Sequence, residues 1–180
     1  MQPIKVLIVE DEVIVARDIR DTLSTLGYEV CAQVSAGEEA ITKSEELKPD
    51  VVLMDIMLQG DVDGIQAAET IRSRMNIPVI FLTAFSNENT IERAKTAKPY
   101  GYILKPFQDT DLYTAIEIAV HKHRLERKLI EETENAIATV IGSTEVLMEE
   151  GSSNHTPQTL QKIEAIRRAA LIIKETIEKI

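Results

Sequence analysis

Five short apolar runs, each followed by a stretch of helical length, fill the first two-thirds of this 180-residue chain and constrain its fold more than any other feature. Ile4 to Val9, Val30 to Val34, Val51 to Met54, Val79 to Leu82 and Tyr102 to Leu104 have strand length. Amphipathic segments at 12–26, 37–47, 63–75, 87–97 and 109–120 follow them in turn. Strands that alternate with helices need crossover connections, which give a mostly parallel sheet. The runs are apolar almost throughout rather than at every second position, as expected of strands covered on both faces by helices.

The pattern changes near residue 120. No strand signal follows, and between Phe107 and Ile141 there is neither Gly nor Pro, so the fifth helix is expected to continue as a helical linker over 121–130. Residues 131–180 read as a helical hairpin. Its first stripe is Ile130, Thr133, Ile137, Val140, Thr144 and Leu147; its second is Ile163, Ile166, Ala170, Ile173, Ile177 and Ile180, spaced as a heptad seam. Gly151 to His155 reads as the turn, and Thr156-Pro157 as an N-cap with Pro at the first helical position. Two helices alone bury too little to be stable, so a second copy completing a four-helix bundle is the simplest expectation.

Charge narrows the function. Thirty acidic against twenty basic residues, net charge -10, argue against a coat for nucleic acid or for an anionic membrane. The imbalance sits in residues 1–120, which hold 20 acidic and 11 basic residues; residues 121–180 are nearly neutral, with a small basic cluster at His121 to Lys128. The lone Cys31 excludes a disulfide framework and fits a reducing compartment. No apolar run approaches the ~20 residues of a membrane span, and the N-terminus leads straight into a strand without a leader pattern. A cytoplasmic protein with no membrane partner is expected. His121 and His123 lie two apart on a helix and His155 lies in a polar turn, so all three read as solvated residues rather than metal ligands.

In an open parallel sheet, ligands collect at the carboxyl ends of the strands. Here those ends carry Glu10-Asp11 after the first strand, Asp55 after the third, Thr83-Ala84 after the fourth and Lys105-Pro106 after the fifth. Singly, such carboxylates cap helices and such lysines are surface residues. Together they bring three carboxylates, a hydroxyl and an ammonium to one crevice. An all-oxygen acidic cluster suits Mg²⁺. A carboxylate beside Mg²⁺ and a lysine can attack phosphorus and become an aspartyl phosphate, with the cations and the hydroxyl serving the phosphoryl oxygens.

Residues 1–120 resemble the receiver domain of two-component response regulators through VLIVEDE (6–12), DVVLMDI (50–56), DG (63–64), PVIFLTAF (78–85) and GYILKPF (101–107). The resemblance implies a flavodoxin-like α/β fold with strand order 2-1-3-4-5. It implies that Asp55 accepts a phosphoryl group from a phosphohistidine on a sensor histidine kinase. It further implies that Asp11, Glu10 (largely through water), Asp55 and the Met57 carbonyl hold Mg²⁺ and that Lys105 pairs with Asp55. Thr83 and Tyr102 would be the switch, one moving to the phosphoryl group and the other turning inward behind it. Such a protein is a phosphoacceptor rather than an enzyme. Two further features are local. The loop from Ile56 to Gly64 is long, with Asp63 read as a helix N-cap rather than a calcium ligand. Met57 and Phe85, two positions beyond Asp55 and Thr83, are bulky and apolar; neither can hold a hydrolytic water, so a phosphoryl lifetime of at least minutes is expected.

The tail, ENAIATVIGSTEVLMEE (134–150) with LQKIEAIRRAALIIKETIEKI (160–180), resembles the dimerisation and phosphotransfer hairpin of histidine kinases. Alignment on Asn135 and Gly142 puts Glu131 where that family carries its histidine, so no phosphotransfer of its own is expected. The reading is a homodimer through residues 125–180 that docks a downstream protein. Alternatives are an antitermination module on RNA, a DNA-binding output, or a relay or phosphate sink. The near-neutral tail and its two helices, with only Arg167-Arg168 for a basic contact, do not indicate nucleic acid.

Overall fold

The computed structural model describes residues 3–84, 88–150 and 156–177. Its strands β1 (Lys5–Val9), β2 (Glu29–Val34), β3 (Val51–Asp55), β4 (Val79–Thr83) and β5 (Gly101–Leu104) form one parallel sheet in the order β2-β1-β3-β4-β5. Helices α1 (Val13–Thr25), α2 (Gly37–Leu47), α3 (Gly64–Met75), α4 (Glu88–Thr96) and α5 (Asp109–Glu150) follow the strands in turn, and α6 (Pro157–Ile177) closes the chain's described part.

The strands are apolar on both sides because both sides are covered. Leu7, Val9, Val52, Met54 and Phe81 point to one face, where Ala40 of α2, Ala67, Ala68 and Ile71 of α3 and Ala94 of α4 meet them. Val6, Ile8, Leu53, Ile80 and Leu82 point to the other, against Ile19 and Leu23 of α1 and Leu112, Ile116 and Ala119 of α5. The alternation of successive side chains across a strand splits one apolar run between two cores. Small residues on α3 and α4 let those helices lie close to the sheet. Asp63 caps α3 as the sequence suggests: its carboxylate accepts from the Gln66 amide at 2.9 Å, and the Gln66 side chain accepts from the Asp63 amide at 3.0 Å.

The chain divides into two compact units, Met1–His123 and Arg124–Ile180. The first therefore ends one helical turn later than the expected 120, and the expected linker 121–130 is shared between the units. The physical reason is packing: Val120 is buried, and His123 lies edge-on to the Tyr100 ring at 5.6 Å. His123 is thus half-buried rather than simply solvated, whereas His121 is exposed.

In the second unit, Arg167 bridges to Glu145 at 3.3 Å across the helical pair. Ile137, Thr144, Ile163 and Ala170 are buried. The expected seams are only half enclosed, because Val140, Leu147, Ile166 and Ile173 are exposed. Each helix turns one side of its stripe to its neighbour, and the seam is wider than one neighbour covers. Thr156 precedes α6 and its hydroxyl accepts from the Thr159 amide at 3.3 Å, as an N-cap does. Phe85, the turn from Gly151 to His155, and Ile180 lie outside the described residues.

Candidate functional site

Parallel strands deliver their carboxyl ends to one edge of the sheet, and four of the expected residues converge there. Glu10 and Asp11 follow β1, Asp55 ends β3, and Lys105 follows β5. Glu10, Asp11 and Asp55 each offer an oxygen, and these oxygens lie within 4.8 Å of one another. Lys105 joins the cluster from the far strand. Its Nζ donates to Asp55 Oδ2 at 2.5 Å and to Glu10 Oε2 at 2.6 Å.

Burial sets the electrostatics. Glu10 is 2% exposed and Asp55 6%. Loss of water raises Glu10 to about 7, an effect that the Lys105 hydrogen bond opposes and the neighbouring Asp55 charge reinforces. Burial alone would lower Lys105, but the hydrogen bonds it donates to Asp55 and Glu10 and their charges outweigh it and hold the ammonium above its usual range. Lys105 is therefore a fixed cation at neutral pH, while Glu10 is poised to lose a proton when a stronger cation arrives.

The backbone orients Asp55. The Met57 amide donates to Asp55 Oδ1 at 2.8 Å, which leaves Oδ2 to Lys105. The Met57 side chain is exposed at the mouth of the site. Directly behind, a Cβ on Gly64 would fall 1.9 Å from the Asp55 carbonyl oxygen, so the start of α3 reaches the end of β3 only because that position lacks a side chain. In the sequence Gly64 stands out only as half of the Asp63-Gly64 pair. A glycine immediately after an N-cap is the signal that pointed to this close approach.

Thr83 ends β4, buried, with its carbonyl accepting from the Lys105 amide at 2.7 Å. Register places Asp55 opposite Leu82 and Thr83 opposite Leu104, so the hydroxyl-bearing residue is on the strand adjacent to Asp55. Tyr102 is half-exposed on β5, its ring 5.9 Å from that of Phe81. It is not part of the polar cluster. Beside the cluster, an open groove is lined by Val13, Ile14, Ala84, Lys105, Pro106 and Phe107, with Arg17 and Asp18 also on its wall, and Val13 and Ile14 are largely exposed.

The donor set is all oxygen, anionic and partly open to solvent, which is the chemistry Mg²⁺ selects. The three carboxylates fit the ion, and Asp11, the most exposed of them, is the natural first contact. The sequence pattern of the response regulator receiver domain matches residues 6–117. The chain belongs to the response regulator receiver family. Members of that family bind Mg²⁺ at this acidic pocket and are phosphorylated by sensor histidine kinases.

Similarity to individual proteins agrees with this. The chain is 38% identical over 159 residues to the transcriptional regulatory protein PdtaR of Mycobacterium tuberculosis, covering 79% of this chain and 77% of PdtaR. It is 39% identical over 115 residues to the response regulator protein VraR of Staphylococcus aureus, covering 63% of this chain and 54% of VraR. Among solved structures, it resembles the signal receiver domain of a modulated diguanylate cyclase from Desulfovibrio desulfuricans G20. That match has 41% identity and a TM-score of 0.67, over 69% of this chain and 99% of that one. It also resembles the receiver domain of the sensor histidine kinase PA1611 from Pseudomonas aeruginosa PAO1, whose structure has a magnesium ion coordinated in its active-site cleft. There the identity is 30% and the TM-score 0.61, over 67% of this chain and 99% of that one. This receiver protein is a two-component response regulator. Among the described residues, no helix is long and apolar enough to cross a membrane.

Proposed function

We propose that Asp55 is the phosphoacceptor of this response regulator and that the second unit is its output. The observation that carries the reading is the double hold on Asp55: one carboxylate oxygen on the Met57 amide, the other on Lys105, in a buried cluster with Glu10 and Asp11. Asp55 attacks the phosphorus of a phosphohistidine, the P–N bond breaks, and the imidazole leaves. Glu10, Asp11, Asp55 and the Met57 carbonyl would hold Mg²⁺, which supplies charge neutralisation for the phosphoryl oxygens when bound. Lys105 exchanges one Asp55 oxygen for a phosphoryl oxygen, and the Thr83 hydroxyl bonds another. Tyr102, half-exposed in this structure, turns inward as Thr83 moves. The apolar groove formed by Val13, Ile14 and Phe107 receives the kinase surface that carries the histidine. The chain takes up one phosphoryl group stoichiometrically and is not an enzyme. The test is phosphorylation with a small phosphodonor and Mg²⁺, read on phosphate-affinity gels. Asp55→Asn should give no shifted band, and an unchanged band would overturn the site.

The output is an assembly through residues 125–180 in which two copies pair and present a docking surface to a downstream protein. Poor enclosure of the tail supports this: Ile137, Ile163 and Ala170 are its only buried apolar residues among those described. A second reading is favoured by one similarity. PdtaR, matched over 77% of its length, is named a transcriptional regulatory protein, and on that reading the output of this chain acts on nucleic acid instead. Gel-shift assays with the phosphorylated protein separate the two, because salt-sensitive retardation belongs only to the second.

A further inference from the structure

The hairpin's own contacts leave a regular pattern uncovered. Val140 and Leu147 are 41% and 43% exposed, and Ile166 and Ile173 are 52% and 50% exposed. Each follows a buried residue by three positions: Ile137, Thr144, Ile163 and Ala170 respectively. Three residues advance about 300° around a helix, or about 60° short of a full turn. In two antiparallel helices the winding runs in opposite senses as seen from one end, so equal displacements on both fall on the same side of the pair. The four exposed residues therefore form one face.

They also fall at two heights. The Arg167–Glu145 bridge fixes the register of the two helices. Counting outward from it places Leu147 opposite residue 165, within one residue of Ile166, and Val140 opposite residue 172, within one residue of Ile173. The layers are one heptad apart, about 10 Å along the helices. Each holds one residue from α5 and one from α6.

We propose that this face binds the same face of a second copy, with the two-fold axis along the hairpin. Each layer then meets itself, giving two four-residue core layers: Leu147 and Ile166 from both copies, and Val140 and Ile173 from both copies. This rests on the reading of the tail as a dimerising module and assigns its interface. Three facts select a second copy as occupant. An isologous interface requires a self-matching patch, and two pairs matched in height to within one residue are one. The tail carries nine basic and ten acidic residues, so two copies meet without net repulsion. With three apolar residues buried among those described, the hairpin has little core of its own, and doubling it supplies further layers.

The experiment is light scattering on size-exclusion chromatography of the full-length chain at micromolar concentration, unphosphorylated and with Mg²⁺ and beryllofluoride. Wild type should elute at the mass of two copies. The Val140→Asp/Ile173→Asp variant should show a twofold fall in mass. Ile172→Asp, an exposed position on the same helix but off this face, should remain at two copies. The milder Val140→Ala/Ile173→Ala variant, in which helicity by circular dichroism should be unchanged, should weaken dimerisation by about tenfold or more. A wild-type chain that is monomeric in both states overturns the dimerisation reading itself. A wild-type dimer that persists in both double variants, or that Ile172→Asp also breaks, moves the interface elsewhere and overturns this assignment alone.

Discussion

The two units are built from similar proportions of apolar residue and hold them differently. Among the described residues 35 apolar ones are buried, 32 in the first unit and three in the second. In the first, a five-stranded sheet buries its three central strands between two helical layers, so most apolar side chains there have neighbours on all sides. In the second, a helix meets one other helix, and Val140, Val146, Leu147, Ile166, Leu171, Ile172 and Ile173 stay in contact with water. The same residue types thus make a self-sufficient core in one place and an uncovered apolar surface in the other. A switch benefits from that division: its chemistry needs rigid geometry, and its output needs surface left to be covered.

The sharpest test of the contrast is functional. Asp55→Asn should abolish phosphoryl uptake completely while the thermal transition is retained, because the amide keeps the carboxylate's shape and removes its charge and nucleophilicity. A chain lacking residues 125–180 should still take up phosphoryl groups at the wild-type level. Loss of uptake on truncation would mean that the first unit does not stand alone.

Core truncations should separate the units next. Ile80→Ala, fully buried in the cluster with α1 and α5, should cost about 2–5 kcal/mol by denaturant unfolding. Ile172→Ala, largely exposed on α6, should cost less than about 0.5 kcal/mol. Comparable losses at the two positions would contradict the difference in enclosure. Gly64→Ala, where a Cβ meets the Asp55 carbonyl, should cost about 1–3 kcal/mol and slow phosphorylation as well.

The pH response should arise in the first unit. Burial raises Glu10 from 4.5 to about 7, so between these values the folded chain binds more protons than the unfolded chain. Stability of the metal-free protein should therefore fall as pH rises through that window. Excess Mg²⁺ should flatten the slope by stabilising the ionised form. Melting temperatures recorded in chelator and in Mg²⁺ across the window check this; a metal-free stability that climbs with pH would refute the Glu10 assignment. The same proton makes Mg²⁺ binding weaken below about pH 7.

Two smaller effects complete the series. Met57, exposed beside Asp55, offers no group to hold a hydrolytic water, so the phosphorylated form should last at least minutes; decay within seconds would show that another residue positions the water. Arg93→Ala removes a solvent-exposed bridge from α4 to the Asp63 cap and should cost about 0.2–1 kcal/mol.

Much of this was legible before any coordinates. The period of the apolar runs dictated alternating strands and helices, and therefore a parallel sheet. Because such a sheet sends all its strand ends to one edge, Glu10, Asp11, Asp55 and Lys105 could be grouped although 95 residues separate the first from the last. These are properties of local periodicity and of topology, which a chain carries in its order of residues. What required the tertiary structure depends on how distant segments meet. The enclosure that raises Glu10 comes from neighbouring strands and loops, the need for glycine at 64 comes from the carbonyl of residue 55, and His123 is half-buried with the Tyr100 ring against it. The heptad pattern likewise located a seam on each tail helix, but only the register across the hairpin decided that Ile163 and Ala170 face inward while Ile166 and Ile173 do not. Periodicity says which residues share a stripe; packing of one helix on another decides which half of the stripe is covered.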